Sequence, residues 1–113
     1  MERWKFGINN EKLIKLVLCG KKTATCCIYR GKQSAIGEIS VLLNDSDVEV
    51  CKLQTVEIKL LKFKDITWDL AVLEGEFETM QEWRKSHCEF FINEDDSFNE
   101  ETIIEFEIFK VVD

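Results

Sequence analysis

Gly20-Lys21-Lys22-Thr23-Ala24-Thr25 sets a glycine, two amines and two hydroxyls where an apolar helical pattern gives way to a strand-like one. A junction of that kind is a rigid place from which to aim a lysine and a threonine. Alternation along the strand puts Thr23 and Thr25 on one face. Lys22 can act as the base of a hydroxyl only if burial weakens its hold on its own proton. Left in water, the same residues are a solvated cation and a β-former. Further along, Glu74-Gly75-Glu76 places two carboxylates around a glycine at the end of a helical pattern. They can share a pocket, where repulsion raises one proton affinity, or bind a cation. A helix dipole disfavours acids at that end, so the pair is either functional or part of a solvated turn. Trp83 and His87 share a helix face continued by Phe91, with Arg84 three residues before His87. An aromatic shelf with an imidazole and a guanidinium suits a planar base or its phosphate. The plainer reading makes Trp83, Phe90 and Phe91 core and gives His87 a local cap.

The elements that must position these groups are readable from periodicity. Asn9 or Asn10 opens a helix over 10–19, and Gly20 supplies its left-handed end. Residues 23–29 form a strand, 31–37 a loop, 38–43 a second strand and 44–47 a turn. Val48 to Phe63 suits one long strand or two short ones. Asp65 or Thr67 caps a short helix over Trp68–Leu73, which Gly75 ends. Thr79 and Glu82 form a capping box opening a helix through about Phe91. An acidic loop over 93–101 leads to a closing strand, Ile103–Val112. The predicted class is α+β, a small sheet curled into a barrel with helices over one opening. Trp4 and Trp68 are taken as core.

The chain has 113 residues, 45% apolar and 33% charged, enough for one core without metals or disulfides. No apolar run reaches the ~18 residues of a membrane span, and Met1-Glu2-Arg3-Trp4-Lys5 carries no export signal. The default compartment is therefore cytoplasmic, with no membrane partner. The five cysteines are odd in number, with Cys26 and Cys27 adjacent. They read as buried thiols rather than a disulfide framework, and no zinc-ligand spacing is present. A net charge of −7 argues against extended nucleic-acid binding. Lysines nonetheless cluster at Lys12, Lys15, Lys21, Lys22 and Lys32, and a pocket for one small ligand or nucleotide fits best. Dinucleotide, P-loop and α/β-hydrolase motifs are absent. Proline is absent as well, which removes one kind of turn signal.

Residues 16–25, Ile36-Gly37-Glu38, residues 71–76 and Glu82-Trp83-Arg84-Lys85-Ser86-His87-Cys88-Glu89-Phe90-Phe91 together resemble an ASCH-domain protein, in order and spacing over nearly the whole chain. The resemblance implies a single domain over 1–113, a PUA-like small β-barrel of about five or six strands with helices flanking a cleft. It implies a nucleoside or nucleotide ligand, with single-stranded RNA as the other candidate. Some members of the family hydrolyse the acetyl amide of acetylcytidine, and some are described as ribonucleases. The amidohydrolase branch uses a lysine, a threonine three residues later and a glutamate after the barrel strands. These fall on Lys22, Thr25 and Glu74 as catalytic residues. The broader signature, Gly-x-Lys-x-x-x-x-Arg, has Cys27 in place of its arginine, with Arg30 nearby but out of register. Lys21, Thr23, Glu76, Trp83, Arg84 and His87 are the expected ligand contacts, with no cofactor and no metal. The competing expectation is a non-catalytic or ribonucleolytic RNA-binding module.

Overall fold

The computed structural model describes residues 1–31 and 35–112, so Lys32 and part of the 31–37 loop lie outside the described residues. In chain order the elements are β1 (Glu2–Trp4), α1 (Asn10–Leu18), β2 (Ala24–Ile28), β3 (Ile39–Leu43), β4 (Glu49–Lys62), α2 (Trp68–Ala71), α3 (Met80–Glu94) and β5 (Ile103–Val112). The strands form one sheet in the order β1-β3-β4-β5-β2, curled into a half-barrel. The class is α+β, and the sheet has five strands among the described residues. Among the described residues no helix is long and apolar enough to cross a membrane.

The region 48–63 is one strand rather than two. β4 carries a register shift between Thr55 and Glu57 while pairing with β5 on both sides of it. An extra residue on one strand bends it and strengthens its twist, which helps curl the sheet. β1 is absent from the elements expected from sequence. It pairs in parallel with β3, Trp4 opposite Leu42, and three residues carry too little pattern to announce a strand.

The sheet has apolar packing on two sides. One cluster joins Ala24, Ile28, Phe63, Trp83, Phe91 and Phe106 beneath α3. The other joins Leu13, Ile14 and Val17 of α1 to Leu42, Leu53 and Phe109. Trp4 and Trp68 are half-buried at the margins of these clusters. The start of α1 differs from a side-chain N-cap. Asn9 is left-handed with no capping bond. The buried Asn10 instead accepts from the Phe6 amide at 2.8 Å and donates to the Leu43 carbonyl at 3.0 Å. That residue fastens α1 to the end of β3. At α3 Thr79 forms the expected N-cap: the Glu82 amide donates to Thr79 Oγ1 at 3.2 Å, and Glu82 Oε1 accepts from the Thr79 hydroxyl at 2.9 Å rather than from the backbone amide of a full capping box. α3 then runs on past Phe91 to Glu94.

Candidate functional site

The loop after α1 and the turn after α2 are docked to one another by backbone. The amides of Lys21 and Lys22 close the helix on the Leu16 carbonyl at 2.9 and 3.0 Å, and the Thr23 amide donates to the Leu73 carbonyl at 2.8 Å. Gly75, at φ 73°, lets the second turn approach. The lysine motif and the Glu-Gly-Glu turn therefore meet, although they are far apart in sequence.

Lys22 is turned inward, its side chain 1% exposed. Its ammonium donates to Glu76 Oε2 at 3.2 Å, to Glu74 Oε1 at 3.5 Å and to the Glu74 carbonyl at 3.4 Å. It also lies 5.4 Å from the centre of the Phe6 ring. A buried charge is tolerated only with partners of this kind.

Glu74 is the hub of the site. Its Oε2 accepts from the Trp83 indole N–H at 2.8 Å and from the Cys26 thiol at 3.5 Å. His87 Nε2 stands 3.2 Å from Oε2 and 3.3 Å from Oε1. The other imidazole nitrogen, Nδ1, is 3.0 Å from the Trp83 carbonyl. A carbonyl only accepts, so Nδ1 carries a proton. The imidazole stacks on the Trp83 indole, centroids 4.2 Å apart. Burial alone would raise the Glu74 carboxyl. The hydrogen bond from His87, the charges of His87 and Lys22 and the Trp83 bond outweigh it and hold the group below the ordinary range. Burial, then the charge and hydrogen bond of Glu74, push the Cys26 thiol well above its usual value.

These groups face a cleft of about 390 Å³ between the segment after β1, α1, β2 and α3. Phe6, Phe77, Phe90 and Phe91 supply apolar wall, and Lys22, Thr25, Glu74, Glu76 and His87 supply the polar part. A second hollow of about 380 Å³ shares Phe6, Gly7, Thr25, Cys26 and Phe90 with it. Its lining carries five acids: Glu2, Glu38, Glu94, Glu105 and Glu107. A wider, shallow depression at the start of α1 is lined by residues 5–12 and Asp45, and the catalytic candidates lie outside it.

Of the candidates from sequence, Lys22, Thr25, Glu74, Glu76 and His87 converge on the cleft. Lys22 spends its hydrogen bonds on the two glutamates rather than on the Thr25 hydroxyl. Thr23 turns its hydroxyl to the Leu73 carbonyl at 3.4 Å. Lys21 is exposed and outside the cleft lining. Trp83 is wholly buried, stacked between Phe63 and His87, so it reaches the cleft only through Glu74 and His87. Arg84 donates to the carbonyls of Phe63, Lys64 and Ile66 at 3.2, 3.1 and 2.9 Å and lies outside the cleft lining. The Phe63 carbonyl also accepts from the Ile66 amide at 3.3 Å in the turn before α2, and a guanidinium fork gathers all three. Arg30 pairs with Asp95 at 2.9 Å, outside the cleft lining. Phe6, Cys26, Phe77 and Phe90 join the site without having been expected there. Cys26 alternates with Ala24 and Ile28 on the α3 side of β2, a pattern that is visible in the sequence. Phe6 is brought in by β1 and has no local signal.

The thiol of Cys26, a carboxylate oxygen of Glu74 and a ring nitrogen of His87 lie within 4.8 Å of one another, the one grouping of metal-ligand type among the described residues.

No curated protein matches the chain. Among solved structures it is similar to an ASCH domain from Lactobacillus crispatus JV V101, with 23% identity, TM-score 0.89, and 97% of this chain and 78% of that one covered. A protein of Enterococcus faecalis V583 gives 23% identity and TM-score 0.91, covering 100% of this chain and 77% of that one. A mutant ASCH protein from Zymomonas mobilis gives 12% identity and TM-score 0.59, covering 96% of this chain and 66% of that one. At these identities the likeness is one of fold. The family model for the ASCH domain matches residues 2–113, so the chain belongs to the ASCH domain family.

Proposed function

We propose that the cleft binds a modified pyrimidine nucleoside and hydrolyses an amide on its exocyclic amine, acetylcytidine being the type substrate. One observation carries this reading: a hydroxyl, a buried amine and two carboxylates from separate elements face one aromatic-walled cleft. The Phe6 and Phe90 side chains offer apolar surface for a base, and Thr25 supplies the nucleophile. The Lys22 amine can accept the Thr25 proton after passing one of its own to Glu76, 3.2 Å away. Attack forms the bond from Oγ to the acyl carbon. Collapse then breaks the C–N bond, and the proton returns through Lys22 to the leaving amine. Water releases the acid from the threonine ester. Glu74 keeps Lys22 in place.

The acid-lined hollow beside the cleft disfavours a polyanion running across this face, so a free nucleoside fits better than an RNA strand. The test is incubation of purified protein with acetylcytidine, followed by chromatography. Cytidine is expected from the wild type, and none above background from Thr25→Val or Lys22→Ala. Wild-type turnover no greater than that of Lys22→Ala would reject the reading.

A further inference from the structure

We propose that Cys26, Glu74 and His87 form a three-ligand site for a borderline divalent cation, zinc foremost, with its fourth position open to the cleft.

The first argument is the tautomer of His87. Nδ1 is committed to the Trp83 carbonyl at 3.0 Å. Nε2 faces a carboxylate 3.2 Å away; without a proton its in-plane electron pair would meet that carboxylate, so the arrangement requires something positive between them. A proton or a metal ion can fill the role. A bond from the outer imidazole nitrogen to a backbone carbonyl is the usual support of a metal-bound histidine.

The third ligand favours the metal. The Cys26 sulfur lies 3.5 Å from the same carboxylate oxygen that His87 faces. Zinc bonds of about 2.0 Å to nitrogen and oxygen and about 2.3 Å to sulfur put tetrahedral ligand atoms about 3.3 Å (N to O) and about 3.5 Å (S to O) apart. The observed separations of 3.2 and 3.5 Å from Glu74 to His87 and to Cys26 meet those lengths, and the sulfur and nitrogen lie within 4.8 Å of one another. Trp83, donating at 2.8 Å, braces Oε2 from behind. All three ligand residues line the cleft, which leaves room for a water or ligand atom in the fourth position.

The neighbouring ammonium does not occupy the site. Lys22 approaches Oε1, the other carboxylate oxygen, and Glu76 provides a second counter-charge at 3.2 Å. With Glu74, Glu76 and a Cys26 thiolate against Lys22, the cluster carries a net charge of about −2, which a divalent cation neutralises. Binding expels the thiol proton. The site goes beyond the amide reading and does not depend on it. The ligands come from β2, the turn after α2 and α3, so no short spacing in the sequence marks them.

Cobalt(II) is the probe. Chelator-treated full-length protein is titrated with it in the absence of any nucleoside. The expected result is one equivalent bound, with intense visible bands of tetrahedral type and a near-ultraviolet thiolate-to-metal band, all displaced by zinc. Cys26→Ser, with its fold checked by circular dichroism, loses the near-ultraviolet band, and Cys88→Ser keeps it. His87 is the only histidine, so its Nε2 resonance reports zinc ligation without ambiguity and serves if Cys26→Ser fails to fold. Absence of tetrahedral bands, a thiolate band that survives Cys26→Ser, or an unmoved Nε2 resonance would each overturn the site.

Discussion

Gly75 and Lys21 meet backbone to backbone: a Cβ placed on Gly75 would stand 2.5 Å from the Lys21 carbonyl oxygen and 2.8 Å from its carbon. Both atoms belong to the main chain, so nothing yields by rotating a side chain. The same contact lets the Thr23 amide reach the Leu73 carbonyl and brings Lys22 over the two glutamates. Gly75→Ala adds a left-handed strain of about 1 kcal/mol to that clash. The total expected loss is ~2–4 kcal/mol, in the range of backbone and overpacking effects. Urea unfolding at neutral pH measures it. A variant within about 0.5 kcal/mol of wild type would show that the two turns are not locked together.

Lys22 and Glu74 sit inside the protein as charges that depend on one another. Lys22→Met keeps much of the side-chain volume and removes the cation, leaving Glu76 and one side of Glu74 uncompensated. Breaking a buried pair in this way costs about 3–5 kcal/mol. The double variant Lys22→Met/Glu74→Gln should recover part of that loss, because the orphaned charge goes with its partner. Denaturation curves for the two variants check this. Equal instability in both would mean that the amine and the carboxylate are not energetically coupled.

Glu107 gives a pH prediction of opposite sense to an ordinary ion pair. Burial, followed by the charges of Glu105, Glu2 and Glu38, raises its carboxyl above the usual range, against the lowering effect of the Thr55 hydroxyl bond at 2.6 Å. A carboxyl raised by folding binds its proton more tightly in the native state. Its charged form therefore opposes folding at neutral pH, and that penalty disappears as pH falls through the raised value. Glu107→Gln keeps an acceptor for Thr55 and removes the charge. It should raise the Tm at neutral pH, and its advantage over wild type should shrink as the solution is made acidic toward the ordinary carboxylate range. A variant that gains nothing at neutral pH, or gains more in acid, would contradict the assignment.

Local signals read well where chemistry and position are both local. The Thr79–Glu82 cap and the strand Ile103–Val112 come from residues that interact with near neighbours or alternate steadily. Lys22, Thr25 and Glu74 are identifiable by type and order. The depth at which Lys22 lies is not, because a lysine is ordinarily exposed and its burial depends on two glutamates brought by another segment. His87 shows the same limit. Its spacing from Trp83 announces the stacked pair, yet only the fold turns the ring onto Glu74. Arg84 reads from sequence as a ligand contact because its fork suits phosphate. The carbonyls of the turn before α2 suit it equally, and it binds three of them.

One side of the cleft entrance follows a short edge strand. Phe6, Gly7, Ile8 and Asn9 form one lip, one residue beyond β1, an edge strand of three residues paired with β3. Elements held by few ladder bonds open at low cost. Loss of those few ladder bonds would free β1 from the sheet, whereas the Phe6 amide, held by Asn10 Oδ1 at 2.8 Å, and its ring, packed against α1, would stay fastened, so strand and aromatic wall are secured by different parts of the fold.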